Sequence, residues 1–368
     1  MKVQLLTDYY PPFLDQFYKK HPEFYSLSYS AMLELLLKQY FADTGAAYFH
    51  LKKQGQEADV MVVNCEPLQK RWAEENGLSY SENSWEKEIA FAQIKSFRPD
   101  VFYIESVFKY FGDFIRQIKP YCKMVVSWIS TPFKEGLAFN DIDLILSSTP
   151  KFVENFRKKG IPSEYMLPAF DVRVLKEIQN PQPKIYPFTF VGGLGSAHVN
   201  RRQALEFLVK HSDIKIWGYG YRINYPRRSW AYFRHLIFPE NGSLLKHYEG
   251  ELWGLAMYEV LQASLVTFNI HEALLEGHVG NMRMFEASGV GTLLLNDHGH
   301  NLSALFEPGK EIETYKNLDE ALEKITYYKI HPEKAVEMGL KAQERTLKHY
   351  NYDVFISNLS DYIKKYLP

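Results

Sequence analysis

The chain reads as an α/β protein of two domains, each built on a parallel sheet. Short apolar runs of strand length alternate with helix-period segments between Val3 and Ser147, and the same alternation starts again at Phe188. A proline-bearing stretch, Asn180-Pro181-Gln182-Pro183, separates the two series. A length of 368 residues exceeds one ordinary core and suits two domains of about 150–180 residues each. Strands that are apolar throughout and alternate with helices belong to parallel sheets covered on both faces.

In chain order, Val3–Thr7 predicts the first strand and Tyr29–Tyr40 an amphipathic helix. Asp59–Asn64 predicts a buried strand and Trp85–Ser96 a helix. Asp100–Glu105, Met124–Ile129 and Leu144–Ser147 are further strands. Leu167-Pro168-Ala169-Phe170-Asp171 leads into the proline stretch, so residues 1–170 form the first domain and 171–186 the linker. The second domain, 187–350, predicts strands at Phe188–Gly192, Lys215–Gly218, Val266–Asn269 and Thr292–Leu295. Its helices are Arg201–Lys210, Trp253–Gln262, Met282–Ser288, Asp319–Tyr328 and Pro332–His349. Asp353–Tyr366 reads as a last helix. The chain has no internal repeat and no low-complexity tract.

Composition narrows the function. Hydrophobic residues at 46% and charged residues at 24% are globular values without a disorder signature. A formal net charge of -1 excludes a dedicated nucleic-acid binder, which is usually strongly basic. Aromatic residues make up 15%, enough to serve sugar stacking as well as packing. Cys65 and Cys122 are the only cysteines; they have no metal-ligand spacing and read as buried thiols in a reducing compartment. Met1–Asp8 is a first strand, not a signal peptide. No apolar run approaches the roughly 18 residues that span a bilayer. The expected location is cytoplasmic, with peripheral contact at the inner face of a membrane left open.

The most informative stretch is Gly280-Asn281-Met282-Arg283-Met284-Phe285-Glu286-Ala287-Ser288-Gly289-Val290-Gly291, which runs into Thr292-Leu293-Leu294-Leu295. It predicts a loop, a short helix, a glycine-rich exit and a buried strand. A helix N-terminus exposes unpaired N–H groups and a partial positive charge, which suit phosphate. Arg283 can add a bidentate clamp, and Glu286, one turn on, can accept from two ribose hydroxyls. The alternative is an ordinary helix start with a solvated or capping Glu.

Around this helix stand Phe268-Asn269-Ile270-His271, Glu307-Pro308-Gly309-Lys310-Glu311-Ile312 and Asp319-Glu320-Ala321-Leu322, in that order. This series, from Tyr248 to about Tyr352, resembles the C-terminal domain of CgeB-like, family 4-related glycosyltransferases. The resemblance implies a GT-B fold, two Rossmann-like parallel-sheet domains facing across a cleft. It makes the first domain the acceptor domain, with helix 353–368 packing back on it, and 187–350 the nucleotide-sugar donor domain. It implies transfer of a sugar from a nucleotide-diphosphate sugar, UDP-linked by default, to a glycan, lipid-linked or other acceptor. Retention and metal independence are implied, with the nucleotide sugar as co-substrate and no tightly bound cofactor. Two other readings stay open: a non-catalytic nucleotide-sugar or glycan binder of the same fold, and a GT-B-type sugar-nucleotide epimerase.

On this resemblance Gly280, Asn281, Met282 and Arg283 hold the diphosphate and Glu286 the ribose. Phe190-Val191-Gly192-Gly193 resembles the loop that opens the donor domain, with His198 and Arg201 near positions of basic contact. The same stretch loosely imitates a dinucleotide fingerprint, but lacks the acid expected about 20 residues on. Trp217-Gly218-Tyr219-Gly220 lies near the base, where Tyr219 either stacks or only packs. Asn269 and His271 end the strand before the signature helix, His271 as a ligand contact or as a structural residue. Family 4 relatives often carry a second acid eight positions before Glu286; here that position is His278, which either replaces the contact or yields it to Glu276 or the Gly280 backbone.

In the first domain, Thr7-Asp8-Tyr9-Tyr10-Pro11-Pro12 resembles the loop that borders the acceptor. Glu66 and Glu105 also follow apolar strands, and each either faces the cleft or caps the next helix. An inverting enzyme would need Asp8, Glu66 or Glu105 as base; a retaining one needs none. Asp141-Ile142-Asp143 imitates a metal signature of the other glycosyltransferase fold, but it precedes a strand instead of ending one. Residues 221–238 interleave Arg222, Arg227, Arg228 and Arg234 with Tyr225, Trp230, Tyr232 and Phe233. They form either a membrane or lipid-acceptor surface or an ordinary loop and surface helix.

Overall fold

The structure is a computed structural model and describes residues 1–131, 133–134, 136–178, 183–194, 199–221, 242–271 and 276–367. It divides into two units, Met1–Asp171 with Tyr352–Pro368, and Val172–Asn351.

The first unit carries a six-stranded sheet in the order β2-β1-β3-β4-β5-β6, parallel throughout. The strands are β1 (Lys2–Thr7), β2 (Glu57–Val62), β3 (Val101–Ile104), β4 (Met124–Trp128), β5 (Leu144–Ser147) and β6 (Ser163–Tyr165). Helices α1 (Pro11–Lys20), α2 (Tyr29–Leu37), α3 (Asp43–Lys53), α4 (Glu66–Glu75), α5 (Trp85–Phe97), α6 (Asp113–Ile118) and α7 (Pro150–Lys158) connect them. Every residue of β3 and β5 is buried, as a parallel sheet with two covered faces requires. Leu6, Phe102, Ile104, Val125 and Ile145 meet Ala90 and Ile94 of α5, Phe114 and Ile115 of α6, and Phe156 of α7 in one core.

The second unit holds α8 (Val174–Glu177), β7 (Tyr186–Val191), α9 (Val199–His211), β8 (Lys215–Trp217), α10 (Gly242–Leu245), β9 (Tyr248–Gly250), α11 (Gly254–Gln262) and β10 (Ser264–Asn269). It continues with α12 (Met282–Gly289), β11 (Leu293–Asp297), α13 (Leu302–Leu305), β12 (Glu313–Tyr315), α14 (Leu318–Ile330) and α15 (Pro332–His349). Its sheet is again parallel and six-stranded, in the order β12-β11-β10-β7-β8-β9. The final helix, α16 (Tyr352–Tyr366), belongs to the first unit: Asp353 bonds His50 and Lys53 on α3, and Tyr362 Oη donates to Tyr165 O of β6.

The expected strands form with ends shifted by a residue or two. Asp59–Asn64 becomes Glu57–Val62, because Cys65 N bonds Val62 O and turns the chain there. Helix α2 stops at Leu37, short of Tyr40, which takes a positive φ of 54°. Helix α1 begins inside the expected acceptor loop Thr7–Pro12; its two prolines occupy the first helical positions, where the missing N–H costs nothing.

In open parallel sheets, ligands sit beyond the carboxyl ends of strands where the order reverses. That point lies between β1 and β3 in the first unit and between β7 and β10 in the second.

Helix α15 crosses the exit of α12 at Gly339. A Cβ there would stand 2.6 Å from Gly291 O and 3.0 Å from Leu293 N, so backbone meets backbone. Gly339→Ala is expected to cost about 1–3 kcal/mol through overpacking. Calorimetry should show it as a fall in Tm of roughly 2–4 °C per kcal/mol. An unchanged Tm would mean that α15 has room to shift.

Candidate functional site

At the reversal point of the second sheet, the strand ends gather polar side chains that a buried parallel sheet otherwise lacks. Asn269 closes β10, and its Nδ2 donates to Asn281 Oδ1 at 3.0 Å and to Asn296 Oδ1 at 2.7 Å. Asn281 Nδ2 returns a bond to Asn269 Oδ1 at 3.0 Å. Asn281 is also the N-cap of α12, accepting from Met284 N.

His271 locks this arrangement. Its Nδ1 lies 2.7 Å from Asp297 Oδ1, and its backbone N–H donates to Asp297 Oδ2 at 3.0 Å. Its Nε2 receives the N–H groups of Gly280 at 3.1 Å and Asn281 at 3.3 Å. Backbone amides only donate, so Nε2 must carry a lone pair and Nδ1 the proton. The imidazole is therefore neutral and fixed in one tautomer. The amide groups expected to await a phosphate at the start of α12 are in this structure partly satisfied from within: Gly280 and Asn281 by His271, Met284 by Asn281.

Arg283 and Glu286 face each other one turn apart, at 2.9 Å, and both are largely buried. The guanidinium also rests against Met257 Sδ, at 3.3 Å from both terminal nitrogens. The expectation of an arginine open to diphosphate and an acid open to ribose is thus met by a closed pair. Met282 begins the helix, with a half-buried side chain.

Gly192, Gly193 and Gly218 let the loops after β7 and β8 approach closely. A Cβ on Gly193 would fall 2.4 Å from the Tyr219 ring, and one on Gly218, where φ is +142°, would fall 2.0 Å from Gly192 O. Gly192 N bonds Trp217 O, and Leu194 N bonds Tyr219 O. The loops after β7 and β8 therefore run backbone against backbone, and the space left by the missing Cβ holds Tyr219. Tyr219 itself stacks on Trp253, with centroids 5.6 Å apart and planes at 18°. Arg201 donates to Gly193 O at 2.8 Å and lies over the Phe190 ring. His198, and residues 222–238 of the proposed membrane segment, lie outside the described residues.

In the first unit, Thr7 and Glu105 meet at the reversal point between β1 and β3. Thr7 Oγ1 donates to Glu105 Oε2 at 2.6 Å, and Glu105 N bonds Leu6 O. Burial pushes the Glu105 carboxyl up; the Thr44 and Thr7 hydroxyls oppose this, and Asp8 adds to it. Asp8 is open to solvent on one side, yet loses enough water on the other to be raised as well, with Lys109 opposing and Glu86 adding. Glu66 stands apart as the first residue of α4, exposed and paired with Lys70 at 2.9 Å. Asp143 binds Lys119 and caps Val125 N at 2.6 Å, while Asp141 pairs with Arg116, so this string fixes the start of a strand.

The sequence reading missed Asp297, Trp253 and Asn296. Asp297 had a signal, since it ends an apolar strand just as Asn269 does. Trp253 had none, because only the fold brings it over Tyr219.

A family model described as glycosyl transferase-like matches residues 201–361. No curated protein matches the chain at a significant level. Among solved structures, HepE from Anabaena in complex with UDP-glucose is similar with a TM-score of 0.59 at 10% identity, over 99% of this chain and 100% of that one. Sucrose-phosphate synthase from Thermosynechococcus elongatus is similar with a TM-score of 0.56 at 10% identity, over 99% and 98%. A glycosyltransferase from Rickettsia africae reaches 0.56 at 11% identity, over 99% and 98%. The chain has a GT-B fold, and residues 201–361 are similar to the glycosyl transferase-like family model.

The hydrogen-bond geometry fixes His271 as the Nδ1–H tautomer. Long-range 1H–15N correlation should show an Nδ1–H imidazole whose signals vanish in His271→Gln; a protonated Nε2 on that residue would contradict the assignment. For Glu105, the folded pKa lies above the unfolded value near 4.5. Ionisation then costs stability, with the penalty absent below the unfolded value and complete above the folded one. Glu105→Gln should therefore raise the urea midpoint at neutral pH, with the gain fading as pH falls towards 4.5. A gain independent of pH would show that the carboxyl is not raised.

Proposed function

We propose that the protein is a sugar transferase of the CgeB-like, family 4-related kind, with a nucleotide-diphosphate sugar on the second unit and the acceptor at the first. One observation carries this reading: within the glycosyl transferase-like region, the N-terminus of α12 sits at the reversal point of the sheet with an arginine and a glutamate one turn apart. That is where a Rossmann-like unit receives a diphosphate. UDP is the default nucleotide, and the solved complexes of HepE with UDP and UDP-glucose support that choice.

On arrival of the diphosphate, Arg283 exchanges Glu286 for phosphate oxygens. Glu286 is thereby released to accept from the ribose hydroxyls. Gly280, Asn281 and Met282 hold the phosphates through the loop that His271 shapes. Tyr219, with Trp253 behind it, offers an aromatic face to the base, and Gly192, Gly193, Gly218 and Arg201 keep that face in register. Catalysis then draws on preorganised positive charge at the leaving diphosphate and on holding donor and acceptor together. Retention without a metal is the proposed course. Should the enzyme invert, Asp8 or Glu105 is a better candidate for the base than Glu66, which is already engaged by Lys70. A glycan or lipid-linked acceptor and a cytoplasmic location, peripheral to the membrane through 221–238, complete the proposal.

His278, at a position where family 4 relatives often carry an acid, favours a second reading as a nucleotide-sugar binder without transfer. Slow release of nucleotide into water marks a transferase, whereas a pure binder gives only a melting shift.

Glu286→Ala and Arg283→Ala are each expected to weaken UDP binding about tenfold, or ~1.4 kcal/mol. Titration calorimetry measures this, with circular dichroism as the check on folding. If both variants bind UDP as tightly as the parent, the assignment of α12 is wrong.

A further inference from the structure

The chain leaves the first unit after Asp171 and returns to it at Tyr352. One buried imidazole reaches both places. His50, on α3, has its Nδ1 2.8 Å from Asp353 Oδ1, on the first turn of α16, and its Nε2 3.7 Å from Asp171 Oδ1. The Tyr352 ring lies beside it, with centroids 5.8 Å apart and planes at 29°. Asp353 is also held by Lys53 Nζ at 2.7 Å, and its carbonyl accepts from Gln54 Nε2 at 3.1 Å. The acids of β2, which packs on α3 as well, are engaged elsewhere: Glu57 by Lys2 and Asp59 by Gln4.

These contacts decide where the ring carries protons. Burial pushes the Asp353 carboxyl up, but the bonds from Lys53 and His50 outweigh it and hold the group below its ordinary value. An ionised carboxylate only accepts, so Nδ1 is a donor. Nε2 is buried without a hydrogen-bond partner and faces a second carboxylate. A lone pair there would be set against negative charge, whereas an N–H of a charged ring is drawn to it. The far end of α16 is held differently: Glu164 Oε1 accepts from Lys365 at 2.6 Å and from Tyr366 at 2.7 Å, groups that change charge far from neutrality. We propose that His50 is a pH-sensitive latch: as the imidazolium it fastens both chain crossings to α3, and as the neutral ring it lets go of Asp171 and loosens the first turns of α16. The direction follows from the charge. The latch is closed while the ring is protonated and Asp353 is ionised, and it opens as pH rises.

Two measurements on the whole protein test it. Long-range 1H–15N correlation at about pH 6 should show protons on both nitrogens of the ring whose signals vanish in His50→Gln. A neutral His50 ring at that pH overturns the proposal. Hydrogen exchange followed by mass spectrometry, corrected for the intrinsic rate, reads the latch itself. Between about pH 6 and pH 9, the first turns of α16 should lose protection about tenfold more than its last turn does. In His50→Gln the first turns should be weakly protected at both values, with no such change. Protection in the parent that stays constant with pH, or a loss of the same size in His50→Gln, overturns the proposal. Asp171→Asn leaves the bond to Asp353 in place and serves if His50→Gln does not fold. It should move the loss of protection to lower pH by about one unit, the effect of removing one nearby opposite charge. A loss at the parent's pH would show that Asp171 takes no part, and the two-sided latch would be wrong.

Discussion

A single neutral imidazole organises the ligand-facing end of the second unit. His271 joins the end of β10 to the end of β11 through Asp297 and to the first residues before α12 through Gly280 and Asn281. Each of these groups is polar and at the rim of a buried apolar sheet, where a missing partner costs about 1–3 kcal/mol. Here His271 supplies a partner to both Gly280 and Asn281. The reciprocal bonds of Asn269 and Asn281, with Asn296 behind them, brace the same point from the adjacent strand.

This constraint explains how a helix N-terminus can be stable before any anion arrives. Orphan amides at a buried helix start need acceptors, and here the protein supplies them. The Arg283–Glu286 pair does the same for two charges that would be costly to bury singly. The proposed function assigns these same polar groups to a phosphate and a ribose.

The first unit uses a related logic with opposite charge. Thr7 and Glu105 close the gap between β1 and β3, and Asp8 stands on the loop that follows. Burial disfavours ionisation of both the Asp8 and the Glu105 carboxyls. Neither feature is needed to cover an apolar core, which the sheet strands and helices already complete.

Periodicity and apolar runs determined the class of the fold, because a strand buried on both faces leaves an unmistakable composition: β1, β3, β5, β10 and β11 were all legible. The order of Gly280 to Gly291 likewise determined a helix start and a buried strand. Tertiary structure decided which of those residues are open. The role of Gly193 depended on Tyr219, from another strand, filling its empty side; Tyr219 depended on Trp253, a further thirty-odd positions along the chain. Local sequence reports propensity and burial, which act over a few residues. Hydrogen-bond partners such as Asp297 for His271, or Thr7 for Glu105, are settled by where parallel crossovers deliver each strand end, and that is a property of the whole sheet.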